Sequence, residues 1–239
     1  MQSKCRIFRK SRISGALRVF VTADELSSLK MLYLSSSEIN NEINVMKEEQ
    51  FVYAKEDLQA ALEALQRGEL ILYPTDTIWG IGCDATNPDA VKKVYALKRR
   101  EDAKALISIV DTNAKLQGLM DEVPELAYDL TDLATEPLTI IYPNVRGLAP
   151  NLLAEDGSAG IRVCDEPFCR ALCQRFRKPI VSTSANISGE PAPRFFSEIS
   201  SEITEAVDYV VKYRQEDNRP RSASKIMKLN ADGTFVLIR

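Results

Sequence analysis

The sequence predicts an α/β domain built on a single mixed β-sheet flanked by helices. Three observations carry this. Short apolar runs alternate with amphipathic stretches at helical spacing from Glu56 onward, the chain closes on a hairpin, and 239 residues can bury a core without disulfide staples. No internal repeat is visible.

Leu58, Ala61, Leu62 and Leu65 mark the first helix, with Gly68 as its stop, and Leu70 to Tyr73 reads as a strand. Pro74-Thr75-Asp76-Thr77 then leads into an extended segment from Ile78 to Cys83. Asn87 and Pro88 suit the N-cap and first turn of a helix through Val91, Val94 and Leu97 that ends in Lys98-Arg99-Arg100. A strand at Ala105 to Val110, helices around Asp111 to Met120 and Pro124 to Ala134, and a strand at Leu138 to Tyr142 follow. The Gly- and Pro-punctuated stretch Asn144 to Ser158 is a loop. Gly160 to Val163 is a strand, Asp165 caps a helix over Pro167 to Arg177, and the strand Pro179 to Ser182 opens into Thr183 to Gly189. The chain finishes with a helix near Ser197 to Val207, a strand at Asp208 to Tyr213, and a hairpin around Asp232-Gly233 joining Lys225–Leu229 to Thr234–Arg239.

Composition narrows the chemistry. Apolar residues make up 45% and charged residues 27%, the net charge is −3, and no run of 18 apolar residues occurs, so no membrane partner is indicated. Histidine is absent, which excludes a Ser-His-Asp triad, an HExxH zinc site and a Cys-His pair. Cys5, Cys83, Cys164, Cys169 and Cys173 form no CxxC pair, so reduced structural thiols in a cytoplasmic protein are expected and no protein-bound metal is. Residues 1–45 carry seven Lys or Arg and four Asp or Glu and show neither a capped helix nor a clean strand. They read as a poorly ordered leader or a mis-assigned start, with Met46 opening the working domain 46–239.

Four segments can carry chemistry. Pro74 stops a strand and leaves Thr75, Asp76 and Thr77 at its carboxyl end, either as a hydrogen-bonded turn or as a ligand loop. Lys98, Arg99, Arg100 and Lys104 cluster at a helix end, where they complement the helix dipole or grip a polyphosphate. No Gly-rich phosphate loop occurs, so phosphates would be held by side chains and hydroxyl-rich loops. Ser182 to Gly189 empties an apolar strand into hydroxyl and amide groups, as local turns or as a site for sugar and phosphate. Arg162 is the one basic residue in an apolar strand, and a buried Arg takes either a structural carboxylate or a ligand.

In order and spacing, Pro74-Thr75-Asp76-Thr77 with Trp79-Gly80, Lys98-x-Arg100 with Lys104, Gly160-Ile161-Arg162-Val163 and Ser182-Thr183-Ser184-Ala185-Asn186-Ile187-Ser188-Gly189 closely resemble the YrdC-like L-threonylcarbamoyladenylate synthase family. The resemblance runs from about Asp57 to Arg239. It implies the short, single-domain form, with the family's twisted mixed sheet. A subgroup of the same fold lacks the Lys-x-Arg and Ser-x-Asn patterns, and this chain keeps both. The resemblance implies threonine contacts at Thr77, Arg162, Ser182 and Ser224, and ATP contacts at Arg100, Lys104, Ser158, Ser184, Asn186 and Arg239. Lys98, Arg100 and Lys104 are the implied catalytic set. Glu101 stands where the family commonly has Pro, Thr135-Glu136-Pro137 replaces a Trp-Pro-Gly-Pro stretch, and Ala223-Ser224-Lys225 replaces Pro-Ser-Thr.

The family chemistry joins the threonine amine and bicarbonate as a carbamate whose oxygen attacks the α-phosphorus of ATP and expels pyrophosphate. It needs positioning and fixed positive charge rather than a protein nucleophile, so the missing histidine is no obstacle. Mg2+ is expected to arrive on the ATP phosphates, and a tRNA contact and downstream threonylcarbamoyl transferase machinery are implied partners. The rival is an RNA-binding module of the same fold, using Lys92, Lys93, Lys98, Arg99, Arg100 and Lys104.

Overall fold

The first described helix, α1 (Lys55–Gln66), buries Leu58, Ala61, Leu62 and Leu65 along one stripe, the spacing read from the sequence. It ends where Gly68 adopts φ +71°, a left-handed conformation that costs glycine no Cβ clash. This computed structural model describes residues 52–100, 106–230 and 234–239. The expected leader at 1–45, the Met46 start, Lys104 and the Asp232-Gly233 turn lie outside the described residues.

The strands are β1 (Ile71–Tyr73), β2 (Gly80–Gly82), β3 (Ile107–Val110), β4 (Leu138–Tyr142), β5 (Ala159–Val163), β6 (Ile180–Ser184), β7 (Tyr209–Val210), β8 (Lys225–Leu229) and β9 (Phe235–Leu237). They form one mixed sheet in the order β7-β1-β2-β6-β3-β5-β4-β8-β9. The β7-β1, β3-β5 and β4-β8 pairs are parallel and the others antiparallel. Four further helices are α2 (Pro88–Leu97), α3 (Glu125–Leu133), α4 (Pro167–Phe176) and α5 (Ser201–Ala206).

Because side chains alternate along strands, register divides the sheet into two faces. On one, Leu72, Ile81, Val181, Ile161 and Ile140 pack with Val91 and Val94 of α2, Ala127 of α3 and Ile203 of α5. The opposite face is covered in part by α1 and α4, which pack on each other and on β1 and β3 respectively. The sulfur of Cys169 lies 3.2 Å from the Pro74 carbonyl and that of Cys173 3.9 Å from the Ile109 carbonyl. Burial raises both thiols well above their ordinary value, consistent with reduced packing groups.

Several elements differ from the sequence expectation. Asn87 caps α2 as expected, accepting from the amides of Asp89 and Ala90 at 3.0 and 3.2 Å. The cap of α4, in contrast, is Glu166, which accepts from the Cys169 amide at 2.8 Å. Pro167 takes the first helical position, so Asp165 falls outside and pairs with Arg170 instead. The segment Asp111 to Met120 forms a 3-10 helix at Asn113–Gly118 in place of an α-helix, with Leu116 buried inside it and Leu119 and Met120 buried just beyond its end. The strand expected at Asp208 to Tyr213 shrinks to β7, since the amides of Lys212 and Tyr213 donate to the carboxylate of Asp57 rather than to a neighbouring strand. The helix near Ser197 is broken: Phe196–Glu198 forms one turn, Ile199 and Ser200 are extended, and α5 starts at Ser201.

Candidate active site

Register gathers the predicted residues on the face that α1 and α4 only partly cover. Ser184 stands opposite Gly80, Ile107 lies between Ser182 and Gly160, and Arg162 stands opposite Ile109 and Thr139. These positions share strand parity, so their side chains rise from one surface. At Gly160 an added Cβ would come within 3.1 Å of the Ile107 side chain and 3.4 Å of the Thr139 methyl, so the floor stays low beside Arg162.

Arg162 is buried to 2% exposure. Its Nη2 lies 3.0 Å from Asp76 Oδ1, yet Nε, Nη2 and that carboxylate oxygen are all buried without a hydrogen-bond partner. The charges touch, but the fork makes no aligned bond to the carboxylate. Around Asp76 the turn is fixed independently: Thr75 Oγ1 is 2.9 Å from Thr77 Oγ1, donates to the Ile78 carbonyl at 2.8 Å and accepts from the Thr77 amide at 3.1 Å. Next to Arg162, Thr139 shares a 2.8 Å hydrogen bond with Ser224, whose carbonyl accepts from Nε and Nη2 of Arg239 at 3.2 and 3.0 Å. Thr77, Arg162, Ser182, Ser224 and Arg239 therefore belong to one neighbourhood.

The Lys98 side chain is also 2% exposed, but its surroundings are different. Its ammonium donates to the carbonyls of Ser184 and Asn186 at 2.5 and 2.7 Å and contacts Asn186 Oδ1 at 3.3 Å. Burial, and then the charge of Arg100, lowers its pKa to about 8. All three ammonium hydrogens have oxygen partners, so Lys98 holds the Ser184–Asn186 loop in place. Asn186 is similarly occupied, donating to the carbonyls of Ile187 and Glu190 at 3.1 and 2.7 Å, so its amide braces the loop. Arg100 is partly buried, and that burial lowers its pKa. Ser158 donates to Asp156 Oδ1 at 2.5 Å, and Asp156 in turn accepts from Lys228 at 2.9 Å. Those bonds, the Ser158 hydroxyl first, hold the Asp156 carboxyl well below its usual range. Through Lys228, which stands opposite Ile141 in the sheet, this group borders the same face.

Sequence reasoning missed a clamp over the Thr75–Thr77 turn. Arg214 donates to Asp217 at 3.0 Å and to the Thr75 carbonyl at 3.2 Å. Arg219 grips the same Asp217 carboxylate at 2.7 and 2.9 Å, and Arg221 donates to the Asp76 carbonyl at 3.3 Å. Burial alone would raise the Asp217 carboxyl, but hydrogen bonds from Arg219 and the charges of Arg214 and Arg219 bring it down to about 2. The available signal was the density of Arg and Asp between 214 and 221. Two departures from the family pattern also meet, because Lys225 and Glu136 form an exposed ion pair. A cavity of about 570 Å3 lies beside Met120, Asp121 and Arg146 and reaches this neighbourhood only at Gly157. Its Asp121–Arg146 pair is exposed, so the buried polar groups, not the volume, mark the site.

Residues 63–239 match the family of Sua5, YciO and YrdC, described as "Telomere recombination". The chain belongs to the Sua5/YciO/YrdC family. The threonylcarbamoyl-AMP synthase of Photobacterium profundum is 36% identical over 165 residues, covering 66% of this chain and 86% of that protein. The threonylcarbamoyl-AMP synthase of Pseudoalteromonas translucida is 35% identical over 157 residues, covering 64% and 84%. Among solved structures, P. abyssi Sua5 complexed with L-threonine superposes with a TM-score of 0.67 at 24% identity, covering 76% of this chain and 53% of that one. YciO of E. coli gives a TM-score of 0.66 at 22% identity, covering 76% and 87%. These two likenesses establish the family fold, one mixed sheet flanked by helices.

Proposed function

We propose that this family member is a threonylcarbamoyl-AMP synthase, forming threonylcarbamoyl-AMP and pyrophosphate from L-threonine, bicarbonate and ATP. The observation that carries the reading is the 36% identity to a protein of that name across 86% of its length. The site supports it. An Arg whose bidentate edge is buried and unfilled suits the carboxylate of an amino acid, since a planar fork meets a carboxylate through two parallel bonds. The hydroxyls of Thr77, Ser182 and Ser184 lie on the same side of the sheet for the remaining polar groups of the substrates. Arg100 and Lys104 supply positive charge where negative charge develops on the phosphates, with Mg2+ carried by ATP. Lys98 contributes by fixing the loop that carries Ser184. The product serves tRNA threonylcarbamoyladenosine modification in the cytoplasm, handed to downstream transferase machinery.

The RNA-binding reading loses ground on two of its six basic residues. Lys98 is buried, and Arg99 is paired with Glu202 at 2.5 Å. A pyrophosphate-release assay separates the two functions. The synthase releases pyrophosphate from ATP only when threonine and bicarbonate are both present. Release in the absence of either, or none at all alongside a steeply salt-dependent affinity for RNA, would contradict the synthase reading.

A further inference from the structure

Asp76 has no role in the functional assignments above, yet its carboxylate touches the unfilled fork of Arg162 without bonding to it. Oδ1 is buried, lies 3.0 Å from Arg162 Nη2, and has no hydrogen-bond partner. A carboxylate that served only as counter-ion to Arg162 would align with the fork and make two parallel bonds. Here the Nε and Nη2 donors are unfilled as well. Nor does the surrounding turn depend on this side chain. The backbone at 75–77 is held by the Thr75–Thr77 hydroxyls and by Arg214 and Arg221 on the Thr75 and Asp76 carbonyls. A buried donor or acceptor left unpaired is unfavourable, so an anion and a cation that touch without bonding both favour a third group able to satisfy them. That group needs an anion and a cation close together. An α-amino acid, with ammonium and carboxylate on one carbon, meets the description.

We propose that Asp76 anchors the α-ammonium of the amino-acid substrate while Arg162 takes its carboxylate. This assignment rests on the synthase reading and deepens it. With both ends of the zwitterion held, the side chain and the nitrogen that becomes the carbamate have a defined direction. Selection against hydroxy acids of the same shape follows, because removing the amine leaves Asp76 uncompensated beside the bound ligand.

Calorimetric titration of L-threonine and of 3-hydroxybutyrate, which keeps threonine's hydroxyl and carboxylate but lacks the amine, tests this. The wild-type protein should prefer threonine by about 10-fold or more, the scale of one charge-assisted hydrogen bond. Asp76→Asn, which keeps the shape and removes the charge, should weaken threonine by about 10-fold or more and leave 3-hydroxybutyrate within about threefold. Equal weakening of both ligands would make Asp76 a positioning group for Arg162 and overturn the proposal. Threonine bound equally by variant and wild type would remove the anchor while leaving the synthase reading intact. A wild-type protein that binds no threonine would sink both. The wild-type comparison needs no variant to fold: equal affinity for the two ligands is by itself a refutation.

Discussion

Two cations of this molecule, Lys98 and Arg162, are buried to the same 2% exposure and do opposite things. Lys98 sits beneath the Ser184–Asn186 loop with every ammonium hydrogen directed at a protein oxygen. Arg162 rises from β5 with its bidentate edge unfilled and a carboxylate beside it that does not bond. A saturated buried charge has spent its bonding capacity on the fold, and truncating it leaves orphaned acceptors. An unsaturated one is unfavourable until a ligand arrives, and for that reason it discriminates among ligands. Burial alone would have grouped the two residues together; the count of satisfied donors separates them.

Lys98→Met tests the saturated side and should have the largest effect. Three partly buried oxygens lose their donor and a methyl group meets them instead, so denaturant unfolding should show a loss of about 3–5 kcal/mol. The displaced loop should lower the rate of adenylate formation by about 100-fold or more. Lost activity with unchanged stability would break the comparison and return Lys98 to the substrate. Arg162→Lys tests the unsaturated side. Threonine affinity should fall by about 10- to 150-fold, while ATP affinity and the denaturation midpoint move little. A large loss of stability with unchanged threonine binding would make Arg162 a structural partner of Asp76.

The smallest effect is expected at Asp217, a second saturated site. Its folded pKa of about 2 lies below the unfolded value of 3.8, so the unfolded chain holds more protons between those values and stability rises with pH there. The contribution is complete above about pH 4 and lost as pH falls toward 2. Asp217→Asn should lower the melting temperature at neutral pH by about 2–4 °C, and this deficit should shrink on acidification. A deficit that stays constant down to the acid limit would mean the Arg214–Asp217–Arg219 cluster is not what holds the carboxyl down.

How far the sequence reaches follows the same division. Arg162 was legible because a lone basic residue in an apolar strand demands a partner. The two-fold parity that brings Ser182, Ser184 and Arg162 to one face was legible once the strands were placed. The burial of Lys98 was not legible because it belongs to a basic run, and a sequence does not say which member of a run is folded inward. The Arg214–Arg221 clamp escaped because it lies in irregular chain with no period to mark it. The shortened β7 depended on Asp57, 152 residues from Tyr209, which accepts from the Tyr209 hydroxyl and captures the Lys212 and Tyr213 amides that a strand would have used.

Threonine-dependent stabilisation measures fold and binding in one experiment. At a concentration of about 100 times the wild-type Kd, threonine should raise wild-type stability against denaturant by about 2.7 kcal/mol. At that same concentration Arg162→Lys, starting from nearly wild-type stability, should gain only about 0.3–1.4 kcal/mol, as its expected 10- to 150-fold weaker affinity requires. Equal gains in the two proteins would contradict the claim that the unfilled edge of Arg162 is the substrate's place.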